Sequence, residues 1–215
     1  MELLSVVLAR SALLFEVDSL DPFGRLSAVE ALAQIKERYG FAIVPQKPGE
    51  STTEKGAEFL SGRMGDTVID RLTLFHNGIV VDTRSSTEES EKIADDFVGK
   101  ARDILGSRVR VERRHLASQI TFRSQLVLSR MNPVIEEICE EIQRTVGAGL
   151  KQEFVAEPIG LTIHTDVTQT RFAPAKFSIE RRADAPFFEN TYFSGAPLST
   201  QRHLALVEKF ERSLL

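Results

Sequence analysis

A repeat at a fixed offset of 113 residues constrains the fold of this chain more than any other feature. Each copy contains, in the same order, an aromatic residue, a turn asparagine, a helix-capping pair and the apolar face of a helix. The first copy supplies these from Phe75, Asn77, Ser86–Thr87, Ile93, Ala94 and Phe97. The second copy supplies them from Phe188, Asn190, Ser199–Thr200, Leu206, Val207 and Phe210. Because self-similarity at a fixed period indicates a repeated structural unit, we predict an internally duplicated fold.

The first half contains strand and helix patterns in alternation. Residues 4–17 alternate with period two, which predicts a strand, and residues 25–38 carry apolar side chains at the helical period. A short strand is expected at 41–44, whereas the pattern of 45–66 does not distinguish a helix from a strand. Residues 72–83 predict a β-hairpin, followed by a helix to about Leu105.

The turn of this hairpin is placed on Asn77–Gly78, because this dipeptide tolerates the positive φ angles of a type I′ turn. That turn would pair Thr73 with Asp82 and Arg71 with Arg84. The charged side chains then favour a surface ion network, and an anion site is the alternative.

The second half repeats this order of elements. A strand is expected where Ile120, Phe122, Leu126 and Leu128 alternate, and Asn132–Pro133 is a helix start. The helix over 133–146 should direct three isoleucines inward, namely Ile135, Ile138 and Ile142. The remaining elements are strands at 158–167 and 175–182, an apolar segment at 187–193 and a closing helix at 200–213.

The predicted fold class is therefore α+β, with internally duplicated β-α-β-β-(β)-α units, a mostly antiparallel sheet and helices on one face. The repeats would comprise residues 1–106 and 107–215 within one continuous globular domain. In element order alone, this arrangement resembles the duplicated saddle of the TATA-binding-protein architecture. The resemblance implies a fold and no function.

Composition excludes several classes of protein. The chain has a single cysteine, Cys139, so an intrachain disulfide is excluded and a cytoplasmic location is expected. It has no run of 18 apolar residues, so no membrane span is expected. The apolar N-terminus lacks a basic region and is predicted to be the first strand, with a signal peptide as the alternative.

The charge of the chain is unevenly distributed. The net charge is −4, yet residues 107–130 hold six arginines and one glutamate. The candidate binding residues within this segment are Arg108, Arg110, Arg113 and Arg114. Such a basic segment can form a surface that binds a partner such as nucleic acid. The alternative, which we favour, is that its arginines pair with acidic helices of the same fold. The pattern leaves open whether residues 107–114 form a strand or a linker.

His164 and Asp166 form the best candidate for chemistry. On a strand, period two would place both side chains on one face, as a general base with its orienting acid or as two metal ligands. A solvent-facing polar row is the favoured alternative. The chain has no CxxC, HExxH, GxSxG or glycine-rich phosphate motif, so no catalytic residue, metal or cofactor is predicted.

Cys139 and an aromatic cluster are both expected to be structural. Four glutamates near Cys139 disfavour a reactive thiolate, so burial is expected. Phe187, Phe188, Tyr192 and Phe193 favour core packing under the last helix, with an exposed partner-binding patch as the alternative.

The leading functional hypothesis is a non-enzymatic protein-binding or assembly subunit that uses a face or edge of its sheet. Its partner would be another protein or a second copy of the chain. The alternatives are nucleic-acid binding through 107–130 and an enzyme with a site near His164 and Asp166.

Overall fold

The computed structural model describes residues 1–16, 28–45, 56–105, 109–151, 155–166, 168, 174–182 and 185–214. These residues form four α-helices and eight strands, which confirms the α+β class. In chain order the elements are β1 (Glu2–Leu14), α1 (Ala28–Tyr39), β2 (Ala57–Met64), β3 (Thr67–Phe75), β4 (Gly78–Thr83), α2 (Thr87–Leu105), β5 (Arg113–Arg123), α3 (Pro133–Leu150), β6 (Gly160–Ile163), β7 (Phe177–Arg181), β8 (Thr191–Ala196) and α4 (Thr200–Leu214). Short 3-10 helices lie at Leu128–Met131 and Phe187–Glu189.

The strands form one antiparallel sheet in the order β2-β3-β4-β1-β5-β8-β7-β6. The antiparallel sheet expected from the sequence is therefore confirmed. Along the chain, the order β-α-β-β-β-α occurs twice.

Contacts within the chain divide it into two compact units. The N-terminal unit comprises Val6–Gln119 with Pro197–Gln201, and the C-terminal unit comprises Met1–Ser5, Ile120–Ala196 and Arg202–Leu215. The assignment of residues 1–106 and 107–215 to two repeats stays a prediction.

The N-terminal unit has a dense apolar core. Alternate residues of β1 and β4 and one face of α2 supply it, and Phe97 is 7% exposed, as predicted for a core residue. Fully burying one such large side chain contributes about 1.5–3 kcal/mol. Within this core, Tyr39 packs against Phe41 and donates its hydroxyl proton to Asp96 at 2.8 Å. Burial raises the pKa of Tyr39, and the bond to Asp96 adds to that effect.

The C-terminal unit has its own core around Tyr192. This ring stacks on Phe122 at a centroid distance of 5.6 Å, and its hydroxyl donates to the carbonyl of Leu126 at 2.7 Å. Leu126 and Leu128 are buried although β5 ends at Arg123, so the predicted single strand through these residues was wrong. Phe210 on α4 is only partly buried, and Leu206 is 39% exposed, contrary to the predicted core face.

The hairpin of β3 and β4 has a different register from the one predicted. Its turn is His76–Asn77, and Phe75 pairs with Gly78, so Arg71 lies opposite Asp82. Gly78 belongs to β4, where its φ is 149° and an added Cβ would lie 2.1 Å from the carbonyl oxygen of Leu13. The glycine thus allows β1 to approach β4 closely, which the turn prediction overlooked.

Two other strand predictions are corrected. The strand expected at 41–44 is reduced to a bridge between Ile43 and Leu60, and the uncertain stretch before the hairpin contains β2. The strand expected at 158–167 ends at Ile163, because its pairing with β7 begins at Phe177.

The first turns of α2 and α4 cap each other within the N-terminal unit. The backbone N–H of Thr87 donates to Thr200 Oγ1 at 3.0 Å, and the N–H of Thr200 donates to Thr87 Oγ1 at 2.7 Å. Both residues are buried. Each hydroxyl therefore satisfies a helix N–H that would otherwise be left without a partner.

Candidate protein-binding surface

Helix α3 begins as the sequence predicted. Asn132 is its N-cap, with Oδ1 accepting from the N–H of Val134 at 2.9 Å, and Pro133 occupies the first turn. The helix continues beyond the predicted end to Leu150, and Lys151 ends it in the left-handed conformation with φ 53°. Its 18 residues span about 27 Å.

A row of five apolar side chains along α3, here called the α3 row, is exposed. The exposed fractions are 58% for Val134, 52% for Ile138, 42% for Ile142, 38% for Val146 and 53% for Leu150. No residue of α3 is buried. The prediction that Ile138 and Ile142 face inward was therefore wrong.

The neighbouring row of α3 is half-buried instead. It contains Ile135, Cys139, Gln143 and Gly147. Gln143 Oε1 accepts from the N–H of Ala156 at 3.3 Å. Cys139 is thus partly buried and adjoins the α3 row, in line with a structural role.

Exposed apolar side chains concentrate in the C-terminal unit. Among the described residues, this unit holds thirteen of the sixteen large apolar side chains that are exposed. Of the twenty-four buried apolar residues in the described ranges, the N-terminal unit holds sixteen. In the described parts of the chain, the C-terminal unit therefore carries most of the exposed large apolar side chains, which is the kind of surface that marks interaction sites.

The 3-10 helix before β8 adds an exposed aromatic residue to this unit. Phe188 is 82% exposed, contrary to the expected core packing, whereas Tyr192 is buried as expected. The buried Arg181 holds this segment: it donates to Glu157 at 2.5 Å and to the carbonyl of Phe187 at 2.6 Å. Its guanidinium also lies 4.7 Å from the centroid of the Phe187 ring. The sequence around Arg181 does not distinguish it from an exposed arginine, so its buried position could not be predicted.

The polar side of α3 is acidic. It carries Glu136, Glu137, Glu140 and Glu141, and Arg144 pairs with Glu141. The hydrogen bond from Arg144 lowers the pKa of Glu141. Helices that lie on membrane surfaces usually have a basic polar face, so this composition favours a protein partner over anionic lipid.

The candidate arginines of the basic segment lie in different settings. Arg108 lies outside the described residues, and Arg110 and Arg113 are exposed. Arg114 donates to Asp95 of α2 at 2.7 and 3.1 Å, which is one instance of pairing with an acidic helix. Strand β5 begins at Arg113, and the preceding Val109 packs into the N-terminal core.

His164 and Asp166 lie beyond the end of β6, so the prediction that they share a strand face was wrong. His164 Nδ1 lies 2.8 Å from the carbonyl oxygen of Thr165. Asp166 Oδ1 accepts from the N–H and hydroxyl of Thr168 at 2.9 and 2.6 Å. In the described parts of the chain, no three His, Cys, Asp or Glu residues are arranged to hold a metal ion.

Asp82 is the centre of the ion network that the hairpin charges suggested. Arg10 donates to it at 2.7 and 2.9 Å, and Arg71 at 3.1 and 2.9 Å. The bond to Asp82 raises the pKa of Arg10. Arg84 pairs with Asp70 instead, at 3.2 Å. The sequence did not reveal Arg10, because its strand meets β4 only through long-range pairing.

A serine and a histidine meet in the core of the C-terminal unit. Ser194 Oγ lies 2.8 Å from His203 Nε2 and donates to the carbonyl of Ser178 at 2.7 Å. Burial lowers the pKa of His203 to about 4. Both side chains have zero exposure, so a substrate cannot reach them and the contact is structural.

A small cleft of about 320 Å³ lies in the N-terminal unit. Its lining comprises Leu14, Phe15, Glu16, His76, Asn77, Glu112 and Arg113. The mixed charges of these side chains favour no single class of ligand, and the volume is at the lower limit for a small-molecule site.

None of the described helices combines the length and the apolar character needed to cross a membrane. No protein-family model matches the chain, and neither does any curated protein.

Proposed function

We propose that this chain is a protein-binding or assembly subunit that docks a partner protein on the α3 row. The observation that carries the proposal is a row of five exposed apolar side chains on a helix with no buried residue. Monomeric proteins rarely expose contiguous apolar surface of this kind unless it is an interaction site.

The energy available from this row supports a docking role. Fully burying an aliphatic side chain contributes about 1.5–3 kcal/mol, and the five members are each about half exposed. Covering the whole row would therefore return about 4–7 kcal/mol before the costs of association. The acidic residues that flank the row favour a partner with a basic rim.

The proposal is tested by immobilising three forms of the chain and comparing the proteins that each retains. The forms are the native chain, the variant Ile142→Asn in the α3 row, and the variant Leu206→Asn as a matched control on α4. Leu206 is 39% exposed and Ile142 42%, so both substitutions place the same amide on a helix surface of similar exposure.

We expect at least one protein to be retained by the native chain and by Leu206→Asn but not by Ile142→Asn. That protein is identified by mass spectrometry, purified and titrated against each variant. An identical set of retained proteins for all three variants would exclude the α3 row as the docking surface.

We also infer that the two halves of the chain arose by duplication, with their helices on one face of the sheet. Strands β4 and β8 have the same succession of buried and half-buried positions, which supports this. Two equivalent hydrogen bonds of 3.0 Å also support the duplication. One runs from the N–H of Phe15 to the carbonyl of Asn77, and the other from the N–H of Ser124 to the carbonyl of Asn190. Superposing the halves of an experimental structure should align Asn77 with Asn190 and Phe97 with Phe210.

A further inference from the structure

We propose that the partner seated on the α3 row presents a helix whose apolar stripe is bordered on one side by lysines or arginines. This inference rests on the proposed function and specifies the structure and the charge of the partner.

The partner segment on the α3 row should be a helix rather than a strand. The backbone N–H and C=O groups within α3 bond to one another, so the helix surface offers a partner only side chains. An extended segment laid on apolar side chains would bury backbone groups that have nothing to bond to, which is unfavourable. A helix bonds its own backbone groups and avoids this penalty.

The central members of the α3 row form the main contact. Residues four apart on a helix are displaced by about 40° around its axis, so Val134 and Leu150 lie on different sides of α3. Ile138, Ile142 and Val146 stay within an arc of about 80° and a length of about 12 Å. Rows of residues four apart on two helices interdigitate at a crossing angle of about −50°, which suits a contact of this length.

The two sides of the α3 row differ. On one side lies the half-buried row with Cys139 and Gln143, which faces the rest of the C-terminal unit. The other side is a fully exposed row made of Glu137, Glu141, Thr145 and Gly149. Each of these four comes three residues after a member of the α3 row, so the two rows are neighbours on the helix surface. A partner on the α3 row therefore meets this exposed row as its border.

This exposed border is acidic along the first half of α3. Glu137 and Glu141 project there, one turn apart, and the side chain of Glu141 is 59% exposed. Arg144 pairs with Glu141 but lies on the side of the helix opposite Ile142, and an exposed pair of this kind is weak. The two carboxylates thus remain available to a partner, and cations beside its apolar stripe would complement them.

The second half of the same border is uncharged and narrow. Thr145 is small, Gly149 has no side chain, and no atom of the described residues lies within 4 Å of an ideal Cβ at Gly149. A partner helix can therefore approach α3 most closely at this end. Its basic residues then lie beside the acidic first half.

Binding of designed peptides to the full chain tests the inference. The first peptide is a helix with a leucine stripe bordered by lysines, and the second has the same stripe bordered by glutamates. A third peptide has the composition of the first in an order that gives no helical stripe. Titration calorimetry measures the affinity of each peptide, and circular dichroism records the helix that it gains on binding.

Two double variants locate the charge that the peptide meets. Glu137→Lys with Glu141→Lys reverses the acidic border of the α3 row. Glu136→Lys with Glu140→Lys is the matched control, with the same change in net charge and the same spacing. The control residues lie at least about 120° around the helix from Ile142. Circular dichroism of the chain establishes that each variant remains folded.

We expect the lysine peptide to bind the native chain and the control variant as a helix. The reversal at Glu137 and Glu141 should weaken this binding about tenfold at low salt, because two attractions become repulsions. The difference should shrink at high salt, and the same reversal should strengthen binding of the glutamate peptide.

Several outcomes would overturn the inference. They are a lysine peptide that does not bind the native chain, equal affinities for the lysine and glutamate peptides, equal losses in the two double variants, and tighter binding of the third peptide than of the first. A natural protein that Ile142→Asn loses and that the reversal at Glu137 and Glu141 leaves bound would refute the partner specified here. That result would leave the proposed function intact.

Discussion

At the residue scale, the contacts that matter most join residues far apart in the sequence. The bonds from Arg10 to the buried Asp82 depend on β1 lying beside β4. The local sequence pattern identified the charged residues of the hairpin. It did not identify Arg10 as a partner of Asp82, because the order of the strands depends on the whole sheet. The Ser194–His203 contact joins residues only nine apart, but it depends on how α4 packs against β8, which periodicity alone does not give.

Removing the reciprocal cap of Thr87 and Thr200 should destabilise the fold. Thr87→Val keeps the shape of the side chain but leaves the buried N–H of Thr200 without its acceptor. We expect a loss of about 1–3 kcal/mol in the free energy of unfolding. Denaturant titration measures it, and Thr87→Ser, which keeps the hydroxyl, should lose much less. Equal losses for both variants would contradict the cap.

His203 should make stability depend on pH. Its pKa is about 4 in the folded chain and about 6.5 when unfolded, so the unfolded state binds more protons between these values. The contribution of the neutral His203 to the free energy of unfolding is therefore complete above about pH 6.5. This contribution is lost as the pH falls towards 4.

The comparison variant is His203→Gln, whose side chain does not titrate. Denaturant titrations across this range should show the native chain losing about 3 kcal/mol relative to the variant. Parallel stability curves for the two proteins would show that His203 is not held neutral by the fold.

At the element scale, local signals located the helices better than they oriented them. The cap at Asn132–Pro133 lies within a few residues of the helix it starts, so the start of α3 was predicted correctly. The direction of its apolar side depends on which elements pack against it, and Ile138 and Ile142 proved to be exposed. The candidate binding surface was missed because an apolar stripe has the same pattern in a core as in an interface.

Gly78 should be intolerant of substitution, because β1 passes so close to it. Gly78→Ala combines a positive φ with a clash against the carbonyl of Leu13. We expect a loss of about 2–5 kcal/mol, measured by thermal or denaturant unfolding. The control is Gly65→Ala, with φ 58° and nothing within 4 Å of the added Cβ, which should cost only about 1 kcal/mol. Similar losses at both positions would show that the close approach is unimportant.

At the scale of the whole molecule, the sequence predicted the fold class and little of the function. Periodicity is a local property, so the α+β class and the antiparallel pairing followed from it. The order of the strands and the uneven exposure of the two units follow from long-range packing, which no single segment encodes. The strand face predicted to hold both His164 and Asp166 was wrong, because β6 ends before reaching them.

The basic segment should contribute modestly to stability. We expect the triple variant Arg108→Gln, Arg110→Gln and Arg114→Gln to lower the free energy of unfolding by about 1 kcal/mol, through loss of pairs such as Arg114–Asp95. Denaturant titration measures this loss, which should shrink at high salt. Salt-sensitive nucleic-acid binding by the native chain that the triple variant lacks would instead favour the nucleic-acid hypothesis.

The two tyrosines give each compact unit its own optical reporter. The chain has no tryptophan and only two tyrosines, Tyr39 in the N-terminal unit and Tyr192 in the C-terminal unit. Tyrosine fluorescence therefore arises from one buried, hydrogen-bonded phenol in each core. In Tyr39→Phe the emission follows the C-terminal unit alone, and in Tyr192→Phe it follows the N-terminal unit alone. Emission from the two variants thus records the melting of each unit separately, without attaching a dye.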